Sequence, residues 1–166
     1  MTALTLPYFG SIKATALEEY YEVDIKFNGN EVQIDLTFEN KEIDPSKLEA
    51  LKKFLENIDQ SDAQNKGYIN KDYKDKDGDT VKFYLEHHLE EIDEESLSTL
   101  IDFQDKTIDP EKQLLSKLHL VRIGLHPDHN EGFAIFDYSI DPDFTDYLVV
   151  ITTDKDGKLN HMTMES

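Results

Sequence analysis

Residues 20–38, YYEVDIKFNGNEVQIDLTF, hold the feature that most constrains the fold. Apolar and polar residues alternate in two runs, as in strands with one buried face. Between the runs, Asn28-Gly29 is the pair best suited to a two-residue turn with positive φ at both positions. Placing this pair at the turn sets Val23 opposite Ile34, so that one face is apolar throughout. The sequence therefore predicts a β-hairpin.

A two-residue period returns after residue 118. Four segments alternate or are continuously apolar, and the last two are joined by Asp156-Gly157, a second turn pair. This pattern predicts a meander of four strands, in which YLVVIT is the central one because it is apolar on both faces. The segments are LHLVRIGL, GFAIFDYSI, DYLVVITT and KLNHMTM.

The middle of the chain predicts helices that share one type of beginning. An isoleucine and an aspartate, twice followed by proline, precede the helical patterns at residues 43–45, 92–93 and 108–110. The aspartate is a favoured N-cap, and proline fits the first helical turn. Strands first, helices in the middle and strands last indicate an α+β fold. We expect one domain over residues 1–166, with an antiparallel sheet of about six strands, made of the N-terminal hairpin and the C-terminal meander, and the helical segment packed on one face.

Charge restricts the partners. The 166 residues include 36 Asp or Glu and 17 Lys or Arg, a net charge of −19. Such a chain repels nucleic acid and anionic membranes and attracts basic proteins. There is no cysteine, no signal-peptide pattern and no apolar run of ~20 residues, so we expect a cytoplasmic protein.

The stretch DYKDKDGDTVKF, residues 72–83, has the composition of a calcium loop. An EF-hand needs oxygen ligands at alternating positions, glycine at position 6 and glutamate at position 12. Two registers are possible, and neither supplies this set. One register lacks both end ligands, and the other lacks the glycine. We therefore expect a turn at Gly78, with Asp79 capping the next helix. A cation site of another type, using Asp75, Asp77 and Asp79, stays open as an alternative.

Histidines offer further candidate metal ligands. His126, Asp128 and His129 fall within four residues, in a segment that also has the marks of a loop between strands. His87 and His88 are adjacent in a predicted helix, where they point about 100° apart and cannot both bind one ion from a single turn.

Arg122 is the only arginine. In so acidic a chain, we expect it to form an internal ion pair or to lie over an aromatic ring, although it could also hold a carboxylate substrate. No nucleophile, phosphate-binding or dinucleotide-binding motif occurs, and we predict no catalytic residue and no cofactor.

A series of short motifs, ordered along almost the whole chain, resembles a bacterial family catalogued as domain of unknown function two-thousand-four. The resemblance implies a complete single domain of bacterial type, and it brings no activity, cofactor or site residue with it. The motifs are LPYFG, LEEYYEVDI, QIDLTFEN, KFLENID, QLLSKLHLVRIGLHPD, FDYSID, YLVVIT and HMTMES.

Two functions of different classes fit these observations. The first is a non-enzymatic binding protein that engages a basic protein, of which a toxin-neutralising immunity protein is one concrete form. Residues 86–111 favour it, since ten acidic residues against Lys106 alone give a local charge of −9. The alternative is a metal-dependent hydrolase that uses carboxylates and histidines. For the first function, the predicted partner-binding residues are Glu90, Glu91, Glu94 and Glu95.

Overall fold

The computed structural model describes residues 3–166. Strands come first and last in the chain, and the helices lie between them, as predicted. The strands are β1 (Leu4–Leu6), β2 (Gly10–Ile12), β3 (Tyr20–Phe27), β4 (Asn30–Thr37), β5 (His119–Leu125), β6 (Ala134–Ser139), β7 (Leu148–Thr153) and β8 (Leu159–Glu165). The helices are α1 (Pro45–Glu56), α2 (Ile58–Lys74), α3 (Val81–Glu91), α4 (Glu94–Leu97) and α5 (Pro110–Leu115).

Six strands form one sheet, in the order β3-β4-β5-β6-β7-β8. The α+β class and the combination of a hairpin with a four-strand meander are confirmed. All neighbouring strands are antiparallel except β4 and β5, which are parallel. A parallel pair needs a long crossover connection, which the five helices supply. The sheet is therefore mixed, and β1 and β2 form a separate small hairpin.

The turn chemistry fixes the predicted registers. Val23 pairs with Ile34 across the first hairpin, and Asn28 and Gly29 have φ of 52° and 83°. Ile151 pairs with Met162 in the last hairpin, as the Asp156-Gly157 turn predicts. These registers place apolar side chains on one face of the sheet and polar side chains on the other.

The predicted aspartate caps are present at three helices. The carboxylates of Asp44, Asp93 and Asp109 accept backbone N–H groups at the beginnings of α1, α4 and α5. Helix α2 has 17 residues, and only Asn57 separates it from α1.

The prediction that Asp79 caps α3 is wrong. Thr80 is the N-cap residue and makes no side-chain capping bond. The carboxylate of Asp72, in the last turn of α2, instead accepts the N–H groups of Val81 at 2.8 Å and Thr80 at 3.3 Å. Gly78 allows this approach, because a Cβ there would lie 2.0 Å from the carbonyl oxygen of Asp72.

The core lies between the helices and one face of the sheet. Phe54 of α1 packs against Phe136 of β6 with ring centroids 5.9 Å apart, and the hydroxyl of Tyr138 on β6 donates to Asp62 of α2 at 2.7 Å. The opposite face of the sheet carries charged and polar side chains. Within residues 3–166, no helix has the length and hydrophobicity needed to cross a membrane.

Candidate functional site

The four predicted partner-binding residues lie around the junction of α3 and α4. Glu90 and Glu91 end α3, and Glu94 and Glu95 begin α4. All four side chains are exposed. The four residues are close together in sequence, and the structure leaves each of them accessible to a partner.

The local sequence explains why these carboxylates point outward. Val81, Leu85 and His88 form the buried stripe of α3, and Leu97 is the buried residue of α4. Ile92 ends α3 in an extended conformation, and the Asp93 carboxylate caps α4. Because the apolar residues take the inner face, the glutamates are left in solvent.

The charge of residues 86–111 is not compensated locally. Among residues 3–166, the salt bridges involve other carboxylates, and none joins a base to an acid of this segment. The ammonium of Lys106 instead donates to the carbonyl of Phe103 at 3.2 Å. Hydrogen bonds from the Thr107 hydroxyl and backbone lower the pKa of Asp105, which keeps this carboxylate ionised. We call the exposed carboxylates of residues 86–111 the acidic surface.

A second polar cluster occupies the open face of the sheet. Arg122 on β5 donates to both carboxylate oxygens of Asp35 on β4, at 2.8 and 3.1 Å. Its third nitrogen lies 3.6 Å from a carboxylate oxygen of Asp137 on β6. Gly124 leaves room for the guanidinium, because a Cβ there would lie 3.3 Å from an Arg122 nitrogen. We call Asp35, Arg122 and Asp137 the ion cluster.

The ion cluster confirms the internal ion pair predicted for Arg122. Asp35 is 1% exposed and Asp137 is 7% exposed, whereas 42% of the Arg122 side chain is accessible. Burial raises the pKa of Asp137, an effect that the nearby guanidinium only partly offsets. Glu22 of β3 pairs with Asp35, and the binding of Asp35 to Arg122 offsets the repulsion between these two carboxylates. Asp137, which was not predicted as part of the cluster, pairs with Arg122 next to the bulge between Leu120 and Arg122.

The three candidate ligands of the loop after β5 make separate protein contacts. Asp128 accepts the backbone N–H of Glu39 at 2.8 Å, and the ring of His129 bonds the Glu39 carboxylate. The rings of His126 and His129 stack with centroids 5.7 Å apart. This loop is therefore fastened to the residue Glu39, which follows the end of β4.

The acidic stretch after α2 is a turn, as predicted. Asp75 accepts the N–H of Asp77 at 3.0 Å, and Asp79 accepts the hydroxyl of Thr80 at 3.3 Å. In the described part of the chain, no three His, Asp or Glu side chains are grouped in a way that could hold a metal ion.

His88 is a buried core residue, whereas His87 is half-buried at the surface. The adjacent histidines thus point in different directions, as helical geometry predicts.

A depression on the open face of the sheet has a volume of about 350 Å³ and is broadly open to solvent. Its lining includes His126, His161 and Glu165, with Ile135 and Val150, but not Asp137. Asp137, the carboxylate with the raised pKa, is not among the lining residues, although Glu165 of that lining is one of the charges that raise this pKa.

Comparison with models of protein families, with curated proteins and with solved structures finds no match to this chain. The resemblance noted from the sequence motifs therefore stays a prediction, and the function is argued from the surface itself.

Proposed function

We propose that this protein is a non-enzymatic binding protein that engages a basic protein partner through its acidic surface. The observation that carries the proposal is a segment with a local charge of −9 whose acids form no salt bridge within residues 3–166. An immunity protein that neutralises a basic toxin is one concrete form of this function.

Electrostatics makes such a surface effective in association. Complementary charge steers a partner during diffusion and raises the association rate, and it does so most strongly at low salt. The carboxylates of Glu90, Glu91, Glu94 and Glu95 are exposed, so a partner can reach them without unfolding α3 or α4. A rigid helical support also limits the entropy lost on binding.

The test is a kinetic measurement with a basic protein recovered from the native host. Changing Glu90, Glu91, Glu94 and Glu95 together to Gln should slow association about tenfold or more at low salt. The difference should shrink at physiological salt, where the Debye length falls to about 8 Å. Circular dichroism should show an unchanged fold.

A matched variant separates a docking surface from the general field of an acidic protein. Glu18, Glu19, Asp24 and Glu31 are exposed and lie in the N-terminal part of the chain. Changing these four to their amides removes the same charge. Equal slowing by both variants would show that only net charge matters and would refute the acidic surface as the docking site.

A further inference from the structure

Three aromatic rings lie beside the acidic surface. Phe83 is 59% exposed in the first turn of α3, and Tyr147, just before β7, is 39% exposed. His87 follows Phe83 by one helical turn, and its ring meets that of Tyr147 with centroids 4.8 Å apart. Because side chains four residues apart on a helix lie on the same side of it, Phe83 is placed next to His87. We call the three rings the aromatic platform.

Buried side chains of α3 hold the platform in place. The Tyr84 hydroxyl donates to the carbonyl of Tyr147 at 3.0 Å and accepts the N–H of Ile140. His88 bonds the Thr145 hydroxyl at 2.8 Å, and that oxygen accepts the N–H of Tyr147 at 3.0 Å. The exposed Tyr147 is thus fixed through both of its backbone polar groups. A binding surface that is already ordered loses little entropy when a partner arrives.

Carboxylates flank the platform on two elements. Glu90 and Glu91 follow on α3, while Asp143 and Asp146 lie on the loop that carries Tyr147, and all four are exposed. Among residues 3–166, none of them is in a salt bridge. A purely apolar partner would desolvate these charges without compensation. A guanidinium suits both features, because it stacks on aromatic faces and pairs with carboxylates through two parallel hydrogen bonds.

We propose that the aromatic platform binds an arginine side chain of the basic protein partner. The guanidinium stacks on Phe83 or Tyr147 and faces the flanking carboxylates. This inference rests on the proposed function and deepens it, since it assigns arginine rather than lysine as the anchoring residue. The acidic surface determines the association rate of the partner, and the platform determines the dissociation rate of the bound arginine.

The test compares two synthetic octapeptides of equal charge, one with four arginines and one with four lysines in a Gly-Ser background. Dissociation constants are measured by NMR titration at low salt. The arginine peptide should bind about two- to fivefold more tightly, because the planar guanidinium stacks on the ring and pairs with carboxylates through two hydrogen bonds, whereas an ammonium is a single point charge. The signals of Phe83, His87 and Tyr147 should shift, and the shifts should saturate.

Variants separate the two proposals. Changing Phe83 and Tyr147 to Ala should remove most of the preference for arginine and weaken the lysine peptide much less, while leaving the salt dependence unchanged. Tyr20→Ala, at another exposed aromatic residue on β3, is the control and should preserve the preference. Each variant's thermal unfolding is measured first. The Gln variant of the four glutamates should weaken both peptides, and the arginine peptide more, because Glu90 and Glu91 also flank the platform.

Equal binding of the two peptides by the unchanged protein would refute the arginine anchor alone. Loss of the preference in Tyr20→Ala would do the same, because the effect would then not belong to the platform. Failure of both peptides to bind at any salt would overturn the anchor and the acidic docking surface together.

Discussion

Arg122 shows how one residue can neutralise two buried carboxylates on the polar face of a sheet. Two carboxylates, on the strands on either side of β5, are largely buried, and each would be costly there without a counter-charge. The guanidinium spans both because its fixed fork binds Asp35 through two nitrogens while a third faces Asp137. Lysine, a single point charge, could not bind both carboxylates with this geometry.

Arg122→Met should therefore destabilise the protein by about 2 to 4 kcal/mol at pH 7, since breaking a buried pair leaves an uncompensated charge and the guanidinium is itself partly in water. Urea unfolding measures this loss. Lys26→Met, an exposed lysine of the adjacent β3, is the control and should change stability by less than about 0.5 kcal/mol. An equal effect of both substitutions would contradict a structural role for the ion cluster.

At the scale of the element, the three turns of α3 both anchor the loop before β7 and present aromatic side chains to solvent. Tyr84 and His88 face inward and fasten the loop before β7, whereas Phe83 and His87 face outward. Burial lowers the pKa of His88, so the neutral ring is favoured. The beginning of this helix depends on α2, because the Asp72 carboxylate supplies its cap.

Asp72→Ala should cost about 1 to 2 kcal/mol of folding free energy, the usual cost of losing a helix cap. Asp79→Ala is the matched control, since Asp79 bonds only the Thr80 hydroxyl, and it should cost less than about 0.5 kcal/mol. Thermal and urea unfolding measure both. A larger loss of stability for Asp79→Ala than for Asp72→Ala would indicate that Asp79 caps α3, as the sequence predicted.

At the scale of the whole molecule, charge opposes compactness. With 36 acidic and 17 basic residues, the folded chain concentrates more negative charge than its ion pairs neutralise. Self-repulsion of this kind destabilises the compact state and keeps the protein dispersed in solution.

Salt should therefore stabilise this protein. Raising NaCl from about 10 mM to about 150 mM shortens the Debye length to about 8 Å and should raise Tm by a few degrees, equivalent to about 1 kcal/mol for a chain of this length. Differential scanning calorimetry at pH 7 measures the shift. The Gln variant of the four glutamates should have a higher Tm at low salt, and its Tm should rise less when NaCl is added. A falling Tm with salt would contradict dominant self-repulsion.

The sequence by itself determined the features that depend on neighbours along the chain. Asn28-Gly29 fixed the register of the first hairpin because turn geometry sets strand pairing. The caps at Asp44, Asp93 and Asp109 were predictable because a cap bonds an N–H two or three residues away. The outward position of Glu90 and Glu91 also follows from the apolar stripe of α3.

Only the tertiary structure decided the contacts between distant segments. Arg122 binds Asp35, 87 residues earlier, and Asp72 rather than the adjacent Asp79 caps α3. The platform joins His87 to Tyr147, 60 residues apart in sequence. With 36 acidic residues, every long-range ion pair has many equivalent candidates in the sequence. The choice among them depends on the parallel pairing of β4 with β5 and on the close approach at Gly78, which local patterns do not encode.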